Sequence, residues 1–355
     1  MSTQKMTTEP IRHWCADQIQ VLRSRTGDIA LDPLRVEASH RAFYRAVDNH
    51  SSESWVVMFS PPSLENNQQF EALAHVFSGL GTPELFAVDH ARGYFLMEDF
   101  GTEHLVDAYD LAGNNAERRG DILNFALDSL LPLQRIQDPA VPVYDEDRLI
   151  MEFDLCSEWF ATQLMDQPLT TQDSAVLSQA RSQLTRAMLE QPQVCVHRDF
   201  HCRNLLLHSH NGSQRLGIVD FQDALVGPIL YDPASLLQDC YVVHDESLIR
   251  KCLARFATNT PALASIEQGQ LHWWHDACAM QRQIKAVGIF ARLHLRDAKS
   301  SHLNYIPSVL GRAATLASTY QETRDLAQLL RHWADEASTK TLLTAVPKSN
   351  KAHKT

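Results

Sequence analysis

The chain has 355 residues, 44% of them hydrophobic, and a formal net charge of −11. That is enough for one large domain or two modest ones, and the acidic balance excludes a nucleic-acid partner and an anionic membrane surface. No apolar run reaches the length of a membrane span, the opening MSTQKMTTEPIRHW has no signal-peptide core, and seven scattered cysteines without a CxxC pair suit the reducing cytoplasm.

In chain order, residues 10–25 predict a helix, with Ile11, Trp14, Ile19 and Leu22 as the stripe that packs on a first sheet. Residues 33–60 read as strand, loop, strand, turn, strand: Leu34-Arg35-Val36, then 43–47, a polar turn at 48–54, and 55–59. Pro61-Pro62-Ser63 predicts a helix start with Ser63 as N-cap. Phe70, Leu73, Ala74 and Phe77 keep helical spacing up to a stop at Gly79 and Gly81. A hairpin over 85–97 runs into Glu98-Asp99-Phe100-Gly101, and a domain boundary falls near Gly101. Helices follow over 117–138, interrupted by Pro132, then over 144–161 and 173–190.

Residues 194–224, VCVHRDFHCRNLLLHSHNGSQRLGIVDFQDA, read as strand, loop, strand, turn, strand, with Asn211-Gly212 as the hairpin turn. This layout sets Asp199, Asn204 and Asp220 at strand ends. An amide oxygen (Asn204) and a carboxylate (Asp220) suit magnesium, which prefers oxygen ligands. A second carboxylate (Asp199), off the metal, can orient a hydroxyl and take its proton. Three unrelated polar residues would be the bland alternative, but their order and the hairpin between them weigh against it. Cys202, inside the loop, reads as a small filler.

Beyond the hairpin, Asp223 is either a sugar contact or a turn cap. Asp239 and Tyr241 are candidates to line an acceptor site. The helix 271–295 carries a core stripe (Trp273, Ala277, Met280, Ile284, Val287, Ala291) and, opposite, a basic stripe with Arg282, Lys285, Arg292 and Arg296. That stripe is either a solvated face or a meeting point for an anionic acceptor. A helix over 307–333 and a lysine-rich tail, 339–355, close the chain.

HRDFHCRNLL, IVDFQDALVGPILYD and QRQIKAVGIFARLHLRD together resemble the aminoglycoside phosphotransferase/choline kinase branch of the protein-kinase-like fold. Within it they resemble the bacterial anomeric kinases of N-acetylmuramate and N-acetylglucosamine. The likeness covers about residues 10–335. It implies an α+β, two-lobed fold: a small antiparallel-sheet N-lobe (1–101), a larger, mainly helical C-lobe (102–338) and a flexible tail (339–355). It implies ATP and Mg2+ as cofactors and an amino sugar as substrate, phosphorylated at the anomeric hydroxyl for cell-wall recycling. A monomer is expected, with no nucleic-acid or membrane partner.

The likeness also distributes roles. Asp199 is the catalytic carboxylate, and Asn204 and Asp220 are the metal ligands. Ser39, His40 and Arg41 cover the nucleotide phosphates, although a plain hairpin turn explains those residues equally well. Glu98 and Phe100 lie at the adenine hinge. Arg203, Gln222, Asp223 and Asp239 are substrate contacts, with Arg203 alternatively a γ-phosphate clamp. His197 and Asp232 support the catalytic loop. Two departures stand out. The phosphate loop has no glycine, and no lysine lies between Lys5 and Lys251, so Met58 stands where a protein kinase has its strand lysine. Arg41 and Arg45 are the candidate replacements. Two other functions fit this pattern: aminoglycoside phosphorylation, or nucleotide binding by an inactive pseudokinase.

Overall fold

The computed structural model describes residues 8–24, 28–34, 40–210 and 212–340. They fall into two compact units. One lies within Met1–Ala108, Asp138–Ala140 and Arg203–Ala224, and the other within Tyr109–Gln137, Val141–Cys202 and Leu225–Thr355.

The first unit opens with α1 (Glu9–Arg23) and then β1 (Ile29–Leu34), β2 (Ala42–Asp48) and β3 (Ser54–Phe59). After them come α2 (Asn67–Val76), β4 (Leu85–Asp89) and β5 (Tyr94–Glu98). The sheet is antiparallel in the order β1-β2-β3-β5-β4. Ile11, Trp14, Cys15 and Ile19 of α1 close a core with Ile29, Ala46, Trp55, Val57 and Leu96. The first strand starts at Ile29 rather than near Leu34, and Arg35-Val36 lie outside the described residues. It accommodates Pro33, opposite Tyr44, because an edge strand can forgo one N–H. The cap of α2 is Asn66, not Ser63: Asn66 Oδ1 accepts from the Gln69 N–H at 3.1 Å, while Pro61–Glu65 turn back on the Pro61 carbonyl.

The chain continues through α3 (Leu105–Ala112), α4 (Ala116–Asp128), α5 (Leu130–Leu133), α6 (Glu146–Leu155), a π-helical segment (Cys156–Leu164), α7 (Thr171–Leu189) and β6 (Gln193–Val196). The break between α4 and α5 falls at Ser129, three residues before Pro132, whose missing N–H and ring disturb the preceding turn. The hairpin β7 (Leu205–His210) and β8 (Ser213–Ile218) belongs to the first unit. Then β9 (Leu225–Pro228) pairs with β6, and α8 (Tyr231–Leu237), α9 (Glu246–Asn259), α10 (Gln268–Asp297), α11 (Ile306–Ala317) and α12 (Arg324–Thr339) complete the second unit. The single closing helix expected from the sequence is therefore two.

The long helix α10 is buried nearly all round. Trp274 rather than Trp273 enters the core, and Arg282 and Lys285 are only 6% and 7% exposed. The solvated-face reading of these two cations is thus wrong, although Arg296 is exposed. Gly288 lets α10 approach the start of the π segment. A Cβ there would lie 2.4 Å from the Leu155 carbonyl carbon.

Candidate active site

The loop that leaves β6 is pinned at both ends by buried carboxylates. Asp232, in the first turn of α8, accepts the His197 N–H at 2.6 Å and the Arg198 N–H at 2.9 Å. Asp239 accepts the N–H groups of Cys202 at 2.9 Å and Tyr241 at 2.8 Å. Both are fully buried, so Asp239 anchors the loop instead of lining the acceptor site. His197 is fully buried as well, its ring 6.0 Å from that of Phe200. These bonds hold Arg198 at φ +75°, a left-handed conformation worth about 1–3 kcal/mol of strain for a non-glycine residue.

Asp199, presented by this loop, is only partly buried. Burial alone would raise its pKa, but Lys285 and Arg282 hold it well below the usual carboxylate range, with help from His201 and Arg198. The Arg282 Nη2 lies 3.8 Å from Asp199 Oδ1. Beneath the loop, Glu152 of α6 receives Arg198 Nη2, the Tyr144 hydroxyl and, at 3.1 Å, Lys285 Nζ. Burial pushes the Glu152 carboxyl up, but Lys285 and Arg198 outweigh it and keep it ionised. The Arg198 guanidinium also lies 5.3 Å from the centroid of the Tyr144 ring. Periodicity missed Glu152. It sits on the buried side of α6, where only a polar residue inside an apolar pattern (Leu149, Phe153) hints at it.

In the first unit, the Val219 N–H donates to the Asn204 carbonyl at 3.0 Å and ties the hairpin ends together. Asn204 Nδ2 is then 3.4 Å from Asp220 Oδ2, and Gln222 Nε2 donates to Asp220 Oδ1 at 2.5 Å. Asp220 is exposed and strained, at φ +68°. An amide and a carboxylate on one exposed edge fit a magnesium ion that completes its shell with water and phosphate oxygens. No group of three His, Cys, Asp or Glu suited to a metal occurs among the described residues. Gln222, expected at the substrate, is engaged by the proposed metal ligand. Asp223 is exposed on the turn after it, and Arg203 is partly buried. Phe221 fixes that turn by stacking on Phe70, centroids 5.2 Å apart.

Among the expected nucleotide contacts, Ser39 lies outside the described residues and His40 is exposed just before β2. Arg41 is buried, paired with Glu65 at 3.2 Å and bonded to Ser60 Oγ, with its guanidinium 5.1 Å from the Phe70 ring centroid. Arg45 grips Asp99 through two bonds, 2.6 and 3.0 Å, and reaches the Gly101 carbonyl at 2.7 Å. Both candidate replacements for the strand lysine thus have structural partners in the same unit. Met58 is fully buried. Glu98 closes β5, its N–H on the Glu84 carbonyl. Phe100 lies over His208 and against Gly217, where a Cβ would meet its ring at 2.3 Å.

Residues 31–266 match the phosphotransferase enzyme family. The chain is 32% identical over 296 residues to the N-acetylmuramate/N-acetylglucosamine kinase of Pseudomonas putida, covering 79% of this chain and 84% of that protein. It is 33% identical to the protein of the same name from Pseudomonas aeruginosa, covering 84% and 87%. Choline kinase from Cryptosporidium parvum superposes with a TM-score of 0.63 at 12% identity, over 91% of this chain and 99% of that one, which establishes the protein-kinase-like fold. The chain belongs to the phosphotransferase enzyme family, as an enzyme that transfers a phosphoryl group to an alcohol.

Proposed function

We propose that the protein phosphorylates an amino sugar, N-acetylmuramate or N-acetylglucosamine, at its anomeric hydroxyl with ATP, giving the sugar 1-phosphate for cell-wall recycling in the cytoplasm. The observation that carries this reading is the doubly anchored loop that presents Asp199. Asp232 and Asp239 bond its main chain at both ends, so the carboxylate is held before any substrate arrives. The names of relatives that align with about four fifths of the chain support the choice of sugar. Seven buried cysteines, none in a disulfide, suit a reducing compartment.

In this reading Asp199 accepts a hydrogen bond from the sugar hydroxyl, aims its oxygen and takes its proton as the new bond forms. A carboxylate of lowered pKa is a weak base, so its main contribution is orientation, with proton transfer late in the reaction. Asn204 and Asp220 would hold magnesium, which supplies charge neutralisation on the nucleotide phosphates. Gln222 orients Asp220, and Glu152 holds the side chains of Arg198 and Lys285 beneath the loop. The test is a nucleotide-consumption assay with both amino sugars and kanamycin. The wild type consumes ATP with an amino sugar, and Asp199→Asn loses roughly 10²–10⁴-fold in kcat while its folding is intact. Undiminished turnover in Asp199→Asn, or turnover with kanamycin alone, refutes the proposal.

A further inference from the structure

We infer that Arg282, on α10, contacts the phosphoryl group during its transfer. This rests on Asp199 serving the acceptor hydroxyl. Arg282 is 6% exposed, and its Nε has no hydrogen-bond partner among the described residues. Among the described residues its Nη1 donates to the Cys240 sulfur, at 3.5 Å. Its ion-pair partner is Asp199, and the 3.8 Å gap to it is too long for a hydrogen bond. A buried guanidinium with so little bonding is costly, and such groups persist where a ligand completes them.

The other two cations near Asp199 already have a hydrogen-bonded partner in one carboxylate. Glu152 takes Arg198 and Lys285. His201, two residues after Asp199, is held neutral by burial and by Arg282 itself, its pKa pushed down to about 4. The loop therefore supplies no charged side chain at that position, and α10 supplies Arg282 from outside the loop.

Position decides between two anionic targets. Asp199 hydrogen-bonds the acceptor oxygen, and the phosphorus is one bond beyond that oxygen. A carboxylate on the sugar ring is several bonds farther away. In the transfer, the bond from the acceptor oxygen to phosphorus forms. The bond from phosphorus to the bridging oxygen of the nucleoside triphosphate breaks, and the diphosphate leaves with that electron pair. The hydroxyl proton passes to Asp199 and on to water. Charge spreads over the three non-bridging oxygens, and the planar fork of Arg282 donates to them.

The experiment measures binding as well as rate. Calorimetry compares N-acetylglucosamine with N-acetylglucosamine 1-phosphate on the wild type, Arg282→Ala and Arg282→Lys, with melting curves as folding controls. Affinity for the phosphate is expected to fall at least tenfold in Arg282→Ala, while affinity for the free sugar changes less than twofold. Turnover falls roughly 10²-fold or more, and added guanidinium at millimolar concentration restores part of it. Arg282→Lys keeps the charge but not the fork, and it too loses affinity for the phosphate. Unchanged phosphate affinity in a folded variant overturns the inference. So does a loss confined to N-acetylmuramate, which would mark a carboxylate subsite instead. A wild type that turns over no amino sugar would defeat the functional reading itself and not the role of Arg282 alone.

Discussion

Asp199 keeps its negative charge because two cations of α10 outweigh its burial, whereas burial leaves two imidazoles of the same unit, His201 and His244, neutral. Burial is the main cause of the low pKa of His201 and of His244, each pushed down to about 4 from an ordinary 6.5. His244 packs edge-on against Tyr109. Between pH 6.5 and 4 the unfolded chain binds protons that these folded side chains refuse. Stability from this source is complete above 6.5 and is lost as the pH falls through that window, by a few kcal/mol for the pair. Melting temperatures should therefore drop between pH 6.5 and 4, and His244→Gln should flatten the drop. A wild-type melting temperature constant across that window would contradict the assignment. The order and spacing of Asp199, Asn204 and Asp220 were legible in the chain because loop chemistry is local. The duties of Asp239 and Glu152 were not, because an anchor 37 residues from its N–H partner, or a buried carboxylate on a helix, is defined by tertiary contact alone.

Elements built from local periodicity matched the sequence reading best. The strands β2 and β3, the hairpin β7–β8 and the helix α7 lie within a few residues of their expected positions. The helix α10 was legible in length but not in facing. Buried on all sides, it has no single apolar stripe, so angular bookkeeping sent Trp273 inward and Arg282 and Lys285 outward. Its close approach to α6 depends on Gly288. Gly288→Ala would set a methyl group 2.4–2.6 Å from the backbone of Leu155 and Cys156. It should cost about 1–3 kcal/mol and lower the melting temperature by several degrees. It should also reduce kcat, because α10 carries Arg282. A melting temperature equal to the wild type would show that this contact yields more easily than its geometry implies.

Across the whole molecule, the candidate site residues fall in two compact units. One carries the sheet and the Asn204–Asp220 pair, and the other carries the anchored Asp199 loop and the cations of α10. The small antiparallel sheet and the helical remainder of a protein-kinase-like fold were implied by the resemblance of the loop motifs, and the structure has both. The missing strand lysine could be read too, but its consequence could not. Arg41 and Arg45 both have partners, with Glu65 and Asp99, and the cations beside Asp199 come instead from a helix more than 80 residues later in the chain. The most direct test of the central claim is phosphorus NMR of the products formed from N-acetylmuramate, N-acetylglucosamine and kanamycin. The account predicts a phosphomonoester signal coupled to the anomeric proton of an amino sugar, with kanamycin unmodified. A signal coupled to any other sugar position, or product from kanamycin alone, would contradict it.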